Sequence, residues 1–207
     1  AIILTSITGV LLLIIGLTTR DFDYAKKVYQ VYLNGNKLGL IENQEDLYAL
    51  INEEQKEIKE AYGVSNVYPP NGFVIKEHNT YEDEVVSAKA IYETIKDKED
   101  FTVQGYTIKI KFKEEEKQDL VINVLDENVF KEALTSVVTA FVDKDEFYAY
   151  INNTQEPIDE VGEIIEDLYF EETITIKPTF ISVNDKIYTN ANELTQYLLF
   201  GPEKKKE

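Results

Sequence analysis

The hydropathy pattern opens on Ala1 to Thr19 (AIILTSITGVLLLIIGLTT), a run with no charged residue. As a helix it spans roughly 28 Å, close to the roughly 30 Å hydrocarbon core of a bilayer. A helix also bonds every backbone polar group within the segment, as lipid requires, and tolerates Gly9 and Gly16 there. A buried core helix is the first rival, but the run is too long and too unpatterned to leave a wet face. A cleaved signal peptide is the second, and no small-x-small site follows before Thr18, Thr19, Arg20 and Asp21.

After a polar exit over Arg20 to Lys27, short periodic elements take over. VYQVYL (28–33) and KLGLI (37–41) predict strands joined at Asn34-Gly35, a pair suited to the positive φ angles of a type I′ turn. Asn43 predicts a helix start with Asp46 three residues on. Leu47, Leu50, Ile51, Ile58, Ala61 and Tyr62 recur at helical spacing, and Gly63 closes the helix. Tyr68-Pro69-Pro70-Asn71-Gly72 reads as an extended step into a turn, and Phe73–His78 as a strand. A short helix follows near Ser87–Lys96, with Ala88, Ile91, Tyr92 and Ile95 on one face. Asp97-Lys98-Glu99-Asp100 is a charged joint and the expected domain boundary.

The second half repeats the style. Phe101–Phe112 alternates from Tyr106 onward, Glu114–Lys117 turns, and Leu120–Leu125 is the partner strand. Asp126 caps a helix with an apolar stripe of Phe130, Ala133, Leu134, Val137, Val138 and Phe141, expected as core. Asp143 and Glu146 form an Asp-x-x-Glu start for the helix 143–151. Pro157 is expected to begin another, carrying Ile158, Val161, Ile165 and Leu168. Glu172–Lys177 and Phe180–Val183 read as two strands. Asn184-Asp185 turns the chain into Lys186–Thr189, and Asn190 with Glu193 caps a last helix bearing Leu194, Tyr197 and Leu198. Gly201-Pro202 stops it. IENQEDLYALI, FVDKDEFYAYI and YTNANELTQYLL align so that Leu47, Phe147 and Leu194 superpose, through either repeated small modules or convergent helix capping. The expected fold class is therefore α+β: an N-terminal transmembrane helix (1–19), then small antiparallel sheets backed by helices in two modules (20–100 and 101–201), with a linker starting at 202–207.

Composition sharpens this. The chain carries 21 Lys+Arg against 39 Asp+Glu, a net charge of −18, and all of it lies beyond the first nineteen residues. Such a surface repels nucleic acid and anionic lipid. Zero cysteine excludes a disulfide framework and any thiolate metal site, and suits export by a bacterium that does not use disulfides. The chain also has no methionine, so an initiator and a basic leading segment are expected ahead of Ala1. Fourteen tyrosines and ten phenylalanines supply much of the apolar material, as on half-buried sheets where the ring packs and the hydroxyl stays wet.

Candidate chemistry is sparse. His78 is the single histidine, so it has no second imidazole for a zinc site and reads as ordinary surface. Asp143, Asp145 and Glu146 form one acidic group, explained by capping and the helix dipole. Asp159, Glu163, Glu166 and Asp167 form another, explained as a solvent face. A carboxylate-pair hydrolase on these residues is the least favoured reading. No loop has the alternating acids of a calcium site, no glycine-rich phosphate loop occurs, and Lys204–Lys206 is too short for nucleic acid. No catalytic, cofactor or metal residue is assigned.

VYQVYLNGNKLG, VVTAFVDKDEFYAYINNTQEPIDEVGEIIEDLYFEETITIK and DKIYTNANELTQYLLFG carry a resemblance. Val28 to Gly201 resembles the N-terminal region of bacterial cell-wall peptidases of the lysostaphin/LytM-type zinc endopeptidase family. In those proteins a membrane anchor and α/β modules precede LysM repeats and the peptidase. The family's zinc ligands lie in a separate C-terminal domain that no segment here matches, so no catalytic residue carries over. The resemblance implies a non-catalytic, single-pass, extracytoplasmic stalk of a peptidoglycan endopeptidase. Its expected partners are the bilayer, through residues 1–19, and peptidoglycan or other envelope proteins. The alternative is a protein- or glycan-binding module without an attached enzyme, using the Val28–Leu33 hairpin edge or a tyrosine-rich face.

Overall fold

A computed structural model of the chain describes residues 25–81, 84–114, 117–157 and 164–202. They form a mixed α+β structure with two small sheets and five helices. The described residues fall into two compact units, one from 25–50 with 71–95 and the other from 51–70 with 96–202. Each is built from two stretches of chain, whereas the expected modules, 20–100 and 101–201, are continuous. The expected membrane span 1–19 and the tail after Pro202 lie outside the described residues.

In the first unit, β1 (Lys26–Leu33) is the centre of a three-stranded antiparallel sheet, between β2 (Asn36–Ile41) and β4 (Phe73–Thr80). The turn forms as expected: Asn34 and Gly35 have φ of 50° and 79°, and Leu33 pairs with Asn36. One irregularity was not legible. The β1–β2 register shifts after Val31, which pairs with Gly39 while Tyr32 pairs with Lys37, leaving Leu38 as a bulge. Val31, Leu33 and Ile41 are buried, and Val28, on the other face of β1, is buried as well. Gly39 permits close cover of the sheet, since a Cβ there would press on Val86 and Ile91.

Helix α1 (Gln44–Tyr62) starts at Asn43, whose Oδ1 accepts from the Glu45 amide at 3.0 Å. It ends at Gly63, with φ of 64° and the Val64 amide donating to the Lys59 carbonyl at 3.2 Å, a Schellman closure. Leu47, Ile51 and Ile58 are buried, but Ala61 is exposed because the last turn runs out past its apolar cover. Helix α2 (Ala88–Lys98) buries Ile91, Tyr92 and Ile95.

The second unit is organised by β5 (Thr102–Lys111). Along one edge it pairs throughout with β7 (Thr173–Ser182); the short β3 (Val67–Tyr68) and β6 (Leu120–Val124) share its other edge. β8 (Ile187–Tyr188) then joins β6 in parallel, so the sheet is mixed rather than antiparallel. β5 changes its buried face midway. Val103 lies in register with Val67 and Ile181, all buried on one face. Further on that face turns polar, with Thr107 bonded to Asn123 at 2.8 Å and Lys109 paired with Asp119 at 2.9 Å. The opposite face becomes apolar instead, where Ile108, Ile110, Ile122 and Val124 meet Phe130, Ala133, Tyr188 and Leu194. Hydrogen bonds from Gln55 to the Val67 carbonyl (2.7 Å) and from the Tyr62 hydroxyl to the Val183 carbonyl (3.2 Å) hold the second half of α1 at the β3 end.

Helix α3 (Glu127–Val138) and helix α5 (Ala191–Phe200) pack together on the Ile108 face, and α4 (Lys144–Ile151) follows α3. Three expectations are corrected. Phe141 is 80% exposed rather than core: α3 stops at Val138, and once the 3.6 period ends nothing keeps residue 141 on the stripe. Residues 164–171 have no regular secondary structure, so Ile165 and Leu168 are not helical; Ile158 and Val161 lie outside the described residues. The two strands expected at 172–177 and 180–183 are one. Pro178 sits within it opposite Tyr106, on an edge strand where a missing N–H costs no ladder bond.

The aligned helix starts acquire a simple explanation. Asn43, Ser87, Asp126, Asp143 and Asn190 each accept an amide of the first turn, and the residue four positions on is buried: Leu47, Ile91, Phe130, Phe147 and Leu194. All five helices share the pattern, including two that the apparent repeat does not cover. The similarity is the grammar of a capped helix entering a core.

Truncating Phe130→Ala is expected to cost about 3–5 kcal/mol in denaturant unfolding, whereas Phe141→Ala stays within about 0.5 kcal/mol. Gly105→Ala is expected to cost about 1–3 kcal/mol, since a Cβ there would run into the Val124 carbonyl and the Ile181 side chain. Equal effects of the two Phe variants would contradict the assigned core.

Candidate functional site

The last helix builds the most developed site. Asn190 fixes its start, its Oδ1 accepting from the Asn192 and Glu193 amides at 2.8 and 3.3 Å. Leu194 is thereby buried at the α3 contact, where the Thr195 hydroxyl also approaches the Ala133 carbonyl at 3.5 Å. With that side inward, Glu193, Gln196, Tyr197 and Phe200 fall on one adjoining stripe, at the i, i+3, i+4, i+7 spacing. Gly201 ends the helix with φ of 76°, its amide donating to the Tyr197 carbonyl at 2.8 Å.

Lys186 and Tyr188 face this stripe from the β8 strand and the residue before it. Together with Gly201 and Pro202 they enclose a pocket of about 710 Å³. The rings of Tyr188 and Tyr197 lie 5.4 Å apart, tilted by 35°. Lys186 holds its ammonium 5.1 Å from the centre of the Tyr188 ring and donates to the Glu193 carboxylate. Phe200, 75% exposed, offers an open ring at the rim. A smaller cleft of about 430 Å³ lies beside Gly105 and Phe180.

Tyr188 is both wall and core. Its ring belongs to the Ile108–Leu194 cluster. No described residue hydrogen-bonds its hydroxyl, and no buried side-chain polar atom among the described residues lacks a partner. The hydroxyl is therefore reached by solvent, and Tyr188 is one of the residues that line the pocket. Burial raises the Tyr188 pKa above its ordinary value of 10.0, with Tyr197 and Glu193 adding to the effect.

The described residues among those weighed in the sequence do not converge. His78 lies on β4, paired with Val28 and exposed. Asp143 caps α4, accepting from the Asp145 and Glu146 amides at 2.9 and 3.1 Å. Glu166 and Asp167 are exposed on an irregular stretch, and Asp159 and Glu163 lie outside the described residues. Among the described residues no three His, Asp or Glu side chains come together as a metal site. From the sequence Tyr197 stands only among the apolar positions of the last helix, which does not indicate the pocket. The signal was present in the outward stripe Glu193, Gln196, Tyr197 and Phe200. No protein-family model, curated protein or solved structure matches the chain.

The raised Tyr188 pKa makes a pH prediction. The unfolded phenol ionises near pH 10 and the folded one higher, so its stabilisation is complete below pH 10 and is lost as pH rises through the folded value. Ultraviolet titration should show a phenol component that ionises above pH 10. Tyr188→Phe should remove that component and flatten the fall in stability above pH 10; an unchanged titration would contradict the assignment.

Proposed function

We propose that this chain is a non-catalytic, membrane-anchored positioning region, displayed outside the cytoplasm as the stalk of a cell-wall peptidoglycan endopeptidase. The observation that carries the reading is the uncharged run 1–19 leading into an acidic α+β region. Among the described residues no helix is long and apolar enough to cross a membrane, so the anchoring role falls to the run itself. The resemblance of VYQVYLNGNKLG and DKIYTNANELTQYLLFG to the stalk regions of such enzymes supports the cell-wall assignment. The use of Asp126 and Asp143 as helix caps supports a structural role for part of the acidic charge. A net charge of −18 keeps the displayed part soluble and off anionic headgroups.

The test is fractionation of the full chain in a bacterial host. It should sediment with membranes, resist carbonate extraction, and be digested by protease added to spheroplasts. Leu12→Arg combined with Ile15→Arg adds a cost of about 2.5–3.5 kcal/mol per arginine at the bilayer centre and should move the protein to the soluble fraction. Recovery of the unsubstituted full chain as a soluble protein would overturn the anchor, and protection from protease in intact spheroplasts would overturn the orientation.

A further inference from the structure

We infer that the pocket between α5 and β8 is a binding site for a neutral saccharide. Its chemistry selects against the other ligand classes in turn. An anion would face the Glu193 carboxylate and a chain of net charge −18. A cation would compete with Lys186, which already holds its ammonium over the Tyr188 ring at 5.1 Å. A purely apolar ligand would cover the Tyr188 and Tyr197 hydroxyls and the Gln196 amide, none of which has a hydrogen-bond partner among the described residues. Covered and left unpaired, each such group would oppose binding.

A sugar ring answers all three constraints. Its C–H face packs on an aromatic ring, and Phe200 supplies one that is 75% exposed, with Tyr197 beside it. Its hydroxyls both donate and accept, matching phenols and a carboxamide, which do the same. The Lys186–Glu193 pair adds a donor and an acceptor side by side without net charge. The volume of about 710 Å³ lies within the range of small-molecule sites, about 300–1,000 Å³. The site is also held firmly, because Tyr188 is anchored in the core and Leu194 fixes the helix that carries the rest. The inference is independent of anchoring: a chain that never enters a membrane would keep this pocket.

The experiment uses the full chain in a zwitterionic detergent without a sugar headgroup. Tri-N-acetylchitotriose, cellotriose and maltotriose are titrated in turn while backbone amide resonances are followed, with decaproline as the peptide probe. At least one trisaccharide should saturate, with a Kd of about 1 mM or tighter, and should shift the amides of Gln196 to Gly201. Phe200→Ala, at an exposed position that leaves the remaining spectrum intact, should weaken binding about tenfold, and Gln196→Ala should weaken it several-fold. Phe180→Ala, on an exposed ring away from the pocket, should leave it unchanged. Failure of all three sugars to saturate, binding insensitive to Phe200→Ala and Gln196→Ala, or decaproline shifting the same amides in their place would each overturn the inference.

Discussion

Every described helix depends on one coupling at its start: a polar side chain that caps the first turn in water, and an apolar side chain four residues later that enters the core. Asn43 with Leu47, Ser87 with Ile91, Asp126 with Phe130, Asp143 with Phe147 and Asn190 with Leu194 are the five instances. The cap satisfies an amide that the helix itself cannot. The buried residue sets the rotation of the helix about its axis. Neither alone would place a helix, since short helices are marginal without tertiary packing. The coupling also gives part of the acidic composition a structural use, because Asp126 and Asp143 present negative charge to the positive end of a helix.

In the second unit the same economy acts on a strand. β5 reads Val103, Gly105, Thr107, Lys109, Lys111 along one face and Gln104, Tyr106, Ile108, Ile110, Phe112 along the other. Each face is apolar for half its length, so the strand can serve two packing layers at different points. β7 follows suit, with Ile181 on the first face and Ile174 and Ile176 on the second. Gly105 stands where the covered face changes and where the Val124 carbonyl and the Ile181 side chain leave no room for a Cβ. A side chain there would force β6 away from β5 or push Ile181 out of its row.

Legibility in the sequence follows from this division between local and distant causes. Caps, the Asn34-Gly35 turn and the closures at Gly63 and Gly201 are local chemistry, and each stands where the residues indicate. Two strands are expected on either side of Pro178 and the chain forms one, although a proline denies the ladder a donor. Whether that matters depends on the strand being at an edge, which its own residues do not encode. The parallel β6–β8 pair and the role of Gly105 need partners distant in sequence. Phe141 was assigned to the core by extending a period three residues past the point where α3 stops. The Tyr188–Tyr197 pocket was partly readable, as an outward stripe on α5, but its opposite wall comes from a strand placed by that same parallel pairing.

That origin bears on what the pocket can do. A site assembled from loose surface side chains must order them on binding, at about 0.5–1.5 kcal/mol for each flexible side chain immobilised. Here Tyr188 already belongs to the packed cluster of Ile108, Ile122, Phe130 and Leu194. Tyr197 is fixed against it, and the Gly201 turn sets where Phe200 ends the helix. Folding has therefore already ordered most of the recognition surface. The same arrangement separates two kinds of substitution. Changes at Tyr188 act on the core and the pocket together, whereas changes at Gln196 and Phe200 act on the pocket alone. A ligand that needs the pocket's shape must lose affinity with the second kind, while the fold remains as it was.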